Sequence, residues 1–339
     1  MYSVDQNLKI GSFGMQSTAK RRVLSSLFAL SPLLLYSTYL AARRAGVRML
    51  YRPAPLGNCQ MVSDLNYCDD CTDQKHRLDL YLPPTRNWPI FIFVHGGSLN
   101  SGDKCLRVCG ADVYGNIGRF YASRGIGMAL INYRLQPHVT WRDQVDDVAR
   151  ATAWIYTHAQ NYGADPSRLF VGGHSAGAQL AARVALDPQP LRQYGLSPAV
   201  VKGVIAVSGA GFDLRDEETY QLGRNLYAYE DRFRCGDPTD QWKTAASPIM
   251  FAGPAAPPFL IIYSKGDPKA LQRQSNLLHT ALREQGAESE LVVIPGENHC
   301  RMVLALSRAD KAAAPAIRSF IQKSDPVPDY SLAQVNAAV

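Results

Sequence analysis

The sequence predicts an α/β protein: a mostly parallel central sheet with helices on both faces and a small lid-like insertion. Three observations carry this. Short, wholly apolar runs bounded by Gly and Pro recur along the chain, helical periodicities lie between them, and one polar, aromatic segment interrupts the alternation. Runs of that kind are what strands buried on both faces look like.

The elements follow in order. Arg77-Leu-Asp-Leu-Tyr-Leu82 alternates with period 2 and stops at Pro83-Pro84, which reads as a strand with its terminator. Ile90–Val94, Met128–Ile131, Val204–Val207, Phe259–Tyr263 and Leu291–Ile294 are the buried runs. Between them, Val145, Val148, Thr152, Ile155 and Ala159 fall on one face of a helix over residues 144–161. Leu271, Leu278 and Leu282 do the same over 270–285, and Gly286 supplies a stop. Residues 212–247 have no clean period but hold Phe212, Tyr220, Tyr227, Tyr229, Phe233 and Trp242. Their place in the order makes them the lid-like insertion.

The ends of the 339-residue chain differ from this body. Lys20-Arg21-Arg22 precedes an uncharged stretch over residues 23–42, and Arg43-Arg44 follows it. About 20 apolar residues suffice to span a bilayer as a helix, and a basic flank before an apolar run also describes a signal sequence. Residues 1–52 therefore read as a signal or membrane-anchor segment with a basic linker, 53–323 as one α/β domain, and 324–339 as a loose tail. The expected placement is membrane-anchored or exported, with the 53–323 domain extracytoplasmic. The net charge of +7 is concentrated at the front, since no Asp or Glu stands between Asp5 and Asp64. The remainder is near neutral, and no nucleic-acid-binding motif accompanies the charge, so a nucleic-acid partner is not expected.

Seven cysteines are present. Cys68-x-x-Cys71 is half of a zinc-ribbon spacing without a second matching pair, a weak metal signal. Pairing across loops in an oxidising compartment fits the export reading better.

Chemistry concentrates at four places. Gly173-His-Ser175-Ala-Gly177 lies between a short apolar strand and an Ala-rich helical run, the context in which a sharp turn lifts a serine hydroxyl above a sheet. Side chains two before and two after the serine would strike neighbouring chain, hence the glycines. The strand Phe91–Val94 ends in His95-Gly96-Gly97-Ser98, whose backbone can aim N–H groups at a developing oxyanion. His299 follows the last strong strand and is the expected base; a serine hydroxyl needs one within hydrogen-bond reach. Asp267 ends the Phe259–Tyr263 strand and is the expected orienting acid, with Glu297 and Asp213 as weaker substitutes. His95 is expected to shape its loop, and His76, His138, His158 and His279 read as surface or packing residues.

On these residues the chain resembles the α/β-hydrolase superfamily. The similar branch holds the carboxylesterases, including hormone-sensitive-lipase-like, kynurenine-formamidase-like and isoprenylcysteine-methylesterase-like enzymes. Arg77–Pro83, Asn132-Tyr-Arg134 and Asp165–Phe170 share in the likeness, which covers about residues 59–320. The resemblance implies an eight-stranded type of sheet and an acyl-serine mechanism. It implies the triad Ser175, Asp267 and His299, with oxyanion N–H groups from Gly97, Ser98 and Ala176. The family often has a third glycine at the position of Ser98; a backbone donor survives that change, and Gly96 stays open as an alternative. A small or medium ester is the expected substrate, and no metal or organic cofactor is required. An amide, thioester or acyl-transfer substrate would use the same residues. A non-catalytic binding module on this fold is the remaining alternative, and oligomeric state is left open.

Overall fold

A computed structural model describes residues 51–223 and 227–323. The uncharged stretch at 23–42 and the tail after residue 323 lie outside the described residues. Among the described residues, no helix is long and apolar enough to cross a membrane.

Eight strands form one sheet: β1 (Gln60–Asn66), β2 (Arg77–Leu82), β3 (Trp88–Val94), β4 (Gly127–Ile131), β5 (Ala164–His174), β6 (Val201–Val207), β7 (Phe259–Gly266) and β8 (Ser289–Asn298). Their spatial order is β1-β2-β4-β3-β5-β6-β7-β8. β2 runs antiparallel to β1 and β4, and every pairing from β4 to β8 is parallel. Parallel neighbours need crossovers, and these are the helices α1 (Val113–Ala122), α2 (Trp141–His158), α3 (Ala176–Leu186) and α4 (Lys269–Glu284). Two more, α5 (His299–Ala305) and α6 (Ala313–Lys323), follow β8.

Alternation along the strands divides the core into two layers. Ile90, Ile92, Val94, Val171, Val204 and Ala206 face α2 and α3, against Val145, Val148, Leu180 and Val184. Phe91, Phe93, Phe170, Ile205 and Ile262 face the other way, against Ile117, Phe120, Ile317 and Phe320. Every residue of β3 and β4 is buried, as their continuous apolar runs require. α2 opens on a capping box: Thr140 accepts from the Asp143 N–H, and the Asp143 carboxylate accepts from the Thr140 N–H at 2.7 Å.

Segment 212–247 departs from the alternation as expected. It carries short helices at Glu217–Leu222, Tyr227–Arg234 and Gln241–Ala246, with Phe212, Phe233 and Trp242 buried. It is tied to α3 by Gln179 Nε2 donating to the Ala246 carbonyl, and to the loop after β4 by Gln136 Nε2 donating to the Arg232 carbonyl. At the opposite end, the Tyr51 hydroxyl donates to the Asp112 carbonyl and the Arg52 carbonyl accepts from Asn116, which fixes the incoming chain on α1.

The cysteines do not pair across loops. Cys68 is bonded to Cys71 inside the β1–β2 loop, while Cys59, Cys105, Cys109, Cys235 and Cys300 are free. The reason is local: the Cys71 N–H donates to the Cys68 carbonyl in a turn that brings their Cα atoms to 5.3 Å.

Two imidazoles are enclosed where β3 and β5 end. Burial pushes His95 down to about 4 and His174 down to about 3. Both are therefore neutral in the folded protein at neutral pH. Because their folded pKa values lie below the free-imidazole value of about 6.5, the stability they allow is complete above that pH and is lost as pH falls beneath it.

Two outcomes follow. Leu180→Ala, at a fully buried position, should lower unfolding free energy by about 2–5 kcal/mol. Met61→Ala, at an exposed one, should change it by no more than about 0.5 kcal/mol in the same urea titration. In acid, each buried ring should cost about 1.4 kcal/mol per pH unit from about pH 6 down to its folded value, about 4 for His95 and about 3 for His174. Urea midpoints that stay level from pH 7.5 to pH 5 would sink this account of the two histidines.

Candidate active site

The sharp turn between β5 and α3 places Ser175. Its backbone sits at φ 57°, ψ −121°, a region an L-residue rarely adopts, and its N–H donates to the Val207 carbonyl at 2.9 Å. The chain turns against the end of β3. A Cβ on Gly173 would lie 2.4 Å from the Val94 carbonyl oxygen, and one on Gly177 2.1 Å from the same atom. Any side chain at either position would collide with fixed backbone, so the two glycines are requirements of the turn. Ala176 is the first residue of α3, so its N–H belongs to the unsatisfied helix N-terminus that favours negative charge.

His299 stands at the start of α5, directly after β8, with Asn298 capping the helix through its bond from the Arg301 N–H. Its Nε2 lies 3.1 Å from Ser175 Oγ and its Nδ1 lies 3.2 Å from Asp267 Oδ1. Asp267 follows β7 and is buried. Its other oxygen, Oδ2, accepts from the Ser208 hydroxyl at 2.7 Å and from the Ser264 N–H at 2.8 Å. Burial alone would push the Asp267 carboxyl up. The bonds from His299, the Ser264 N–H and Ser208 outweigh it and hold the group below its ordinary value, so it is ionised. An ionised Asp267 accepts the Nδ1 proton, which leaves Nε2 as the nitrogen facing the serine.

The weaker acid candidates are engaged elsewhere. Glu297 pairs with Lys311 at 2.9 Å and with Arg301 at 3.3 Å, and Asp213 is held by Arg215 at 2.9 Å. His95 is also excluded from the serine's partners. Its Nδ1 donates to the Gly96 carbonyl at 2.7 Å, and its ring stacks on Tyr133 at 4.3 Å. The Tyr133 hydroxyl donates to the His95 carbonyl. Shaping of the loop is thus what His95 does. Of the other histidines, His138 is exposed and His158 stacks on Trp154, as expected. His76 is different: it is buried and lies 3.0 Å from Asp147.

The loop after His95 runs beside the serine. A Cβ on Gly96 would come within 3.2 Å of Ser175 Cβ. The Gly96 N–H is directed at the Tyr114 hydroxyl 3.4 Å away. Gly97, Ser98 and Leu99 have successive positive φ values of 127°, 52° and 67°. The Gly97 carbonyl closes the turn by accepting from the N–H groups of Asn100 and Ser101, and a Cβ on Gly97 would fall 2.0 Å from the Ser101 carbonyl oxygen.

Four supporting residues escape sequence reasoning. Ser208 and Ser264 complete the Asp267 site, Tyr114 orients Gly96, and His174 Nε2 donates to the His299 carbonyl at 3.0 Å. Ser208 immediately follows the apolar run of β6, and that strand-end position was the one signal available.

Comparison with known proteins places the family and the fold. The BD-FAE family model matches residues 78–282. The chain is 31% identical over 292 residues to Esterase LipQ of Mycobacterium tuberculosis, covering 83% of this chain and 67% of that protein. It is 30% identical over 246 residues to a probable isoprenylcysteine alpha-carbonyl methylesterase, ICMEL1, of Oryza sativa subsp. japonica, covering 68% of this chain and 55% of that one. The chain thus spans little more than half the length of this plant relative. Esterase B from Lactobacillus rhamnosis has the same fold, with a TM-score of 0.67 at 20% identity over 87% of this chain and 94% of that one. A carbohydrate esterase from gut microbiota, in truncated form, does so with a TM-score of 0.66 at 20% identity over 80% and 98%. With more than half of its length matched by the family model and an esterase relative above 30% identity, the chain belongs to the BD-FAE family of the α/β-hydrolase carboxylesterase superfamily.

Proposed function

We propose that the protein is a serine carboxylesterase that hydrolyses a small or medium ester through an acyl-serine intermediate. The observation that carries the reading is the unbroken chain Ser175 Oγ, His299, Asp267, each link near hydrogen-bond length. It is supported by relatives whose names describe an esterase and methylesterases.

The steps follow from the groups present. His299 Nε2 takes the Ser175 proton as Oγ attacks the acyl carbon. Asp267, ionised and fixed by three donors, stabilises the imidazolium that forms. The oxyanion is met by N–H groups of Gly97, Ser98 and Ala176, the last at a helix N-terminus. His299 then protonates the departing alcohol. Water, deprotonated by the same nitrogen, releases the acid. Each step uses the chain's own residues. A purely binding role on this fold leaves the bonded triad without a purpose.

Pocket walls would come from segment 212–247 and from the loop over 133–141, which Gln136 ties together. The basic flanks around residues 23–42 support an anchored or exported placement for the enzyme.

Activity on p-nitrophenyl acetate, butyrate and octanoate tests the reading. Ser175→Ala should lower kcat by at least about 10⁴-fold, and Asp267→Asn by about 10⁴-fold, with folding intact by circular dichroism. Full activity in Ser175→Ala would reject the nucleophile. The oxyanion loop gives a sharper contrast. Ser98→Ala keeps the backbone donor and should leave kcat within a few-fold. Gly97→Ala places a methyl on the Ser101 carbonyl and should cost about 10²-fold or more, mainly in kcat. Equal losses in the two variants would argue that the Ser98 side chain, not this loop's backbone, meets the substrate.

A further inference from the structure

The β1–β2 loop holds three metal-ligating side chains that the ester chemistry does not use. One ligand atom from each of Cys68, Cys71 and His76 lies within 4.8 Å of the other two. Cys68 and His76 are buried and Cys71 is partly so. The loop is held in shape at its own ends: the Tyr67 N–H donates to the His76 carbonyl, the Cys71 N–H to Cys68, and the His76 N–H to Asp73.

The histidine is set up as a ligand. His76 Nε2 is 3.0 Å from Asp147 Oδ1, deep in the core, where Asp147 also takes the Arg134 guanidinium and backbone N–H. A carboxylate that accepts from the Arg134 guanidinium and backbone N–H can take only a donor from the ring, which places the ring proton on Nε2. Nδ1 is then the nitrogen with a lone pair, and it is buried with no hydrogen-bond partner. A buried polar atom without a partner is costly, and a carboxylate behind a histidine is the arrangement that orients metal-binding imidazoles. Arg150 NH1 donates to Cys68 Sγ at 3.2 Å.

We propose that Cys68, Cys71 and His76 form a redox-gated site for a thiophilic d¹⁰ cation, with Zn²⁺ as the representative. In the oxidised form the Cys68–Cys71 disulfide closes the site. Reduction by a phosphine breaks the S–S bond: phosphorus takes the oxygen of one water as phosphine oxide, and that water's two protons go to the sulfurs. The cation then replaces both thiol protons, which pass to solvent, and binds two thiolates and His76 Nδ1. This donor set leaves one tetrahedral position open.

The test uses the full chain, purified, phosphine-reduced under argon and titrated with Co²⁺ as a spectroscopic substitute. Reduced wild type should take up a single equivalent with thiolate-to-cobalt charge-transfer absorption, which Zn²⁺ abolishes and which oxidised protein lacks. His76→Gln should weaken the affinity by about tenfold or more. Cys68→Ser/Cys71→Ser should lose the absorption, and Cys105→Ser/Cys109→Ser should keep it. Zn²⁺ should raise the Tm of reduced wild type and not that of the Cys68→Ser/Cys71→Ser variant. Absence of the absorption in protein whose seven cysteines all titrate as thiols would overturn the proposal. So would its persistence in Cys68→Ser/Cys71→Ser, which would assign it to exposed thiols. If that variant misfolds, His76→Gln and the oxidised wild type decide in its place.

Discussion

The structure turns on the place where β5 meets the end of β3. Adjacent parallel strands normally lead their chains away in the same direction, but here the chain must reverse within one residue to begin α3. The Val94 carbonyl fills the inside of that reversal and leaves no room for a side chain at Gly173 or Gly177. Ser175, at φ 57°, sits at the crest. Such strain costs on the order of 1–3 kcal/mol and persists only where the surroundings fix it. The fixing comes from the sheet: Ser175 N–H is bonded to Val207 at the end of β6, and Ser208 N–H to Ile262 in β7. The same run of strand ends then delivers Ser208 and Asp267 to one line. Position of the serine and position of its acid are therefore set by one set of sheet bonds.

What the sequence could reveal follows from this. β3, β4, β6 and most of β7 betray themselves because their residues are buried on both faces, so the runs are continuous and bounded by turn residues, while β2 showed itself by alternation. The run Leu291–Ile294 marked a strand but not a buried one: β8 is the sheet's other edge, and of that run only Ile294 is buried. The serine was legible through its two glycines, which are a direct imprint of the close approach to Val94. His299 and Asp267 were legible because each follows an apolar run, and strand ends in a parallel sheet share one edge. β1 was not legible: it is an edge strand, mostly exposed, with the polar pattern Gln-Met-Val-Ser-Asp-Leu-Asn and a register shift between Val62 and Leu65. The roles of His76 and Asp147 were also hidden, since a pair 71 residues apart leaves no local period. Nor could spacing choose between a disulfide inside the Cys68–Cys71 turn and one across loops, because that choice rests on which backbone turn forms.

The loop over Gly97–Leu99, proposed to hold the oxyanion, shows a second principle, that an exposed loop is made rigid from beneath. Leu99 is completely buried under exposed Ser98, and its carbonyl accepts from the Gln136 N–H and from Gln144 Nε2. Tyr133 braces His95 from the other side through its hydroxyl and its stacked ring. Backbone donors serve a transition state only if they are already aimed when charge develops. Positive φ values are strained at Ser98 and Leu99, and the buried tethers hold them there.

The tethers also connect the loop to the periphery. Gln136, which holds Leu99, donates in turn to Arg232 in the insertion, so the segment that would wall the substrate pocket and the loop that would hold the oxyanion share one support. Arg134, two residues earlier, is clamped on Asp147, which also holds His76. Asp147 is fully buried, and removing one partner from a buried charge pair typically costs about 3–5 kcal/mol because the other charge is stranded. Helix α2, which carries Gln144 and Asp147, is accordingly the beam between the cysteine loop and the serine. The insertion is fastened to the same body, by buried Phe212 and Trp242, by Phe233 against Trp141 of α2, and by bonds from Gln274 and Arg273 of α4 to Asp213 and Asp216.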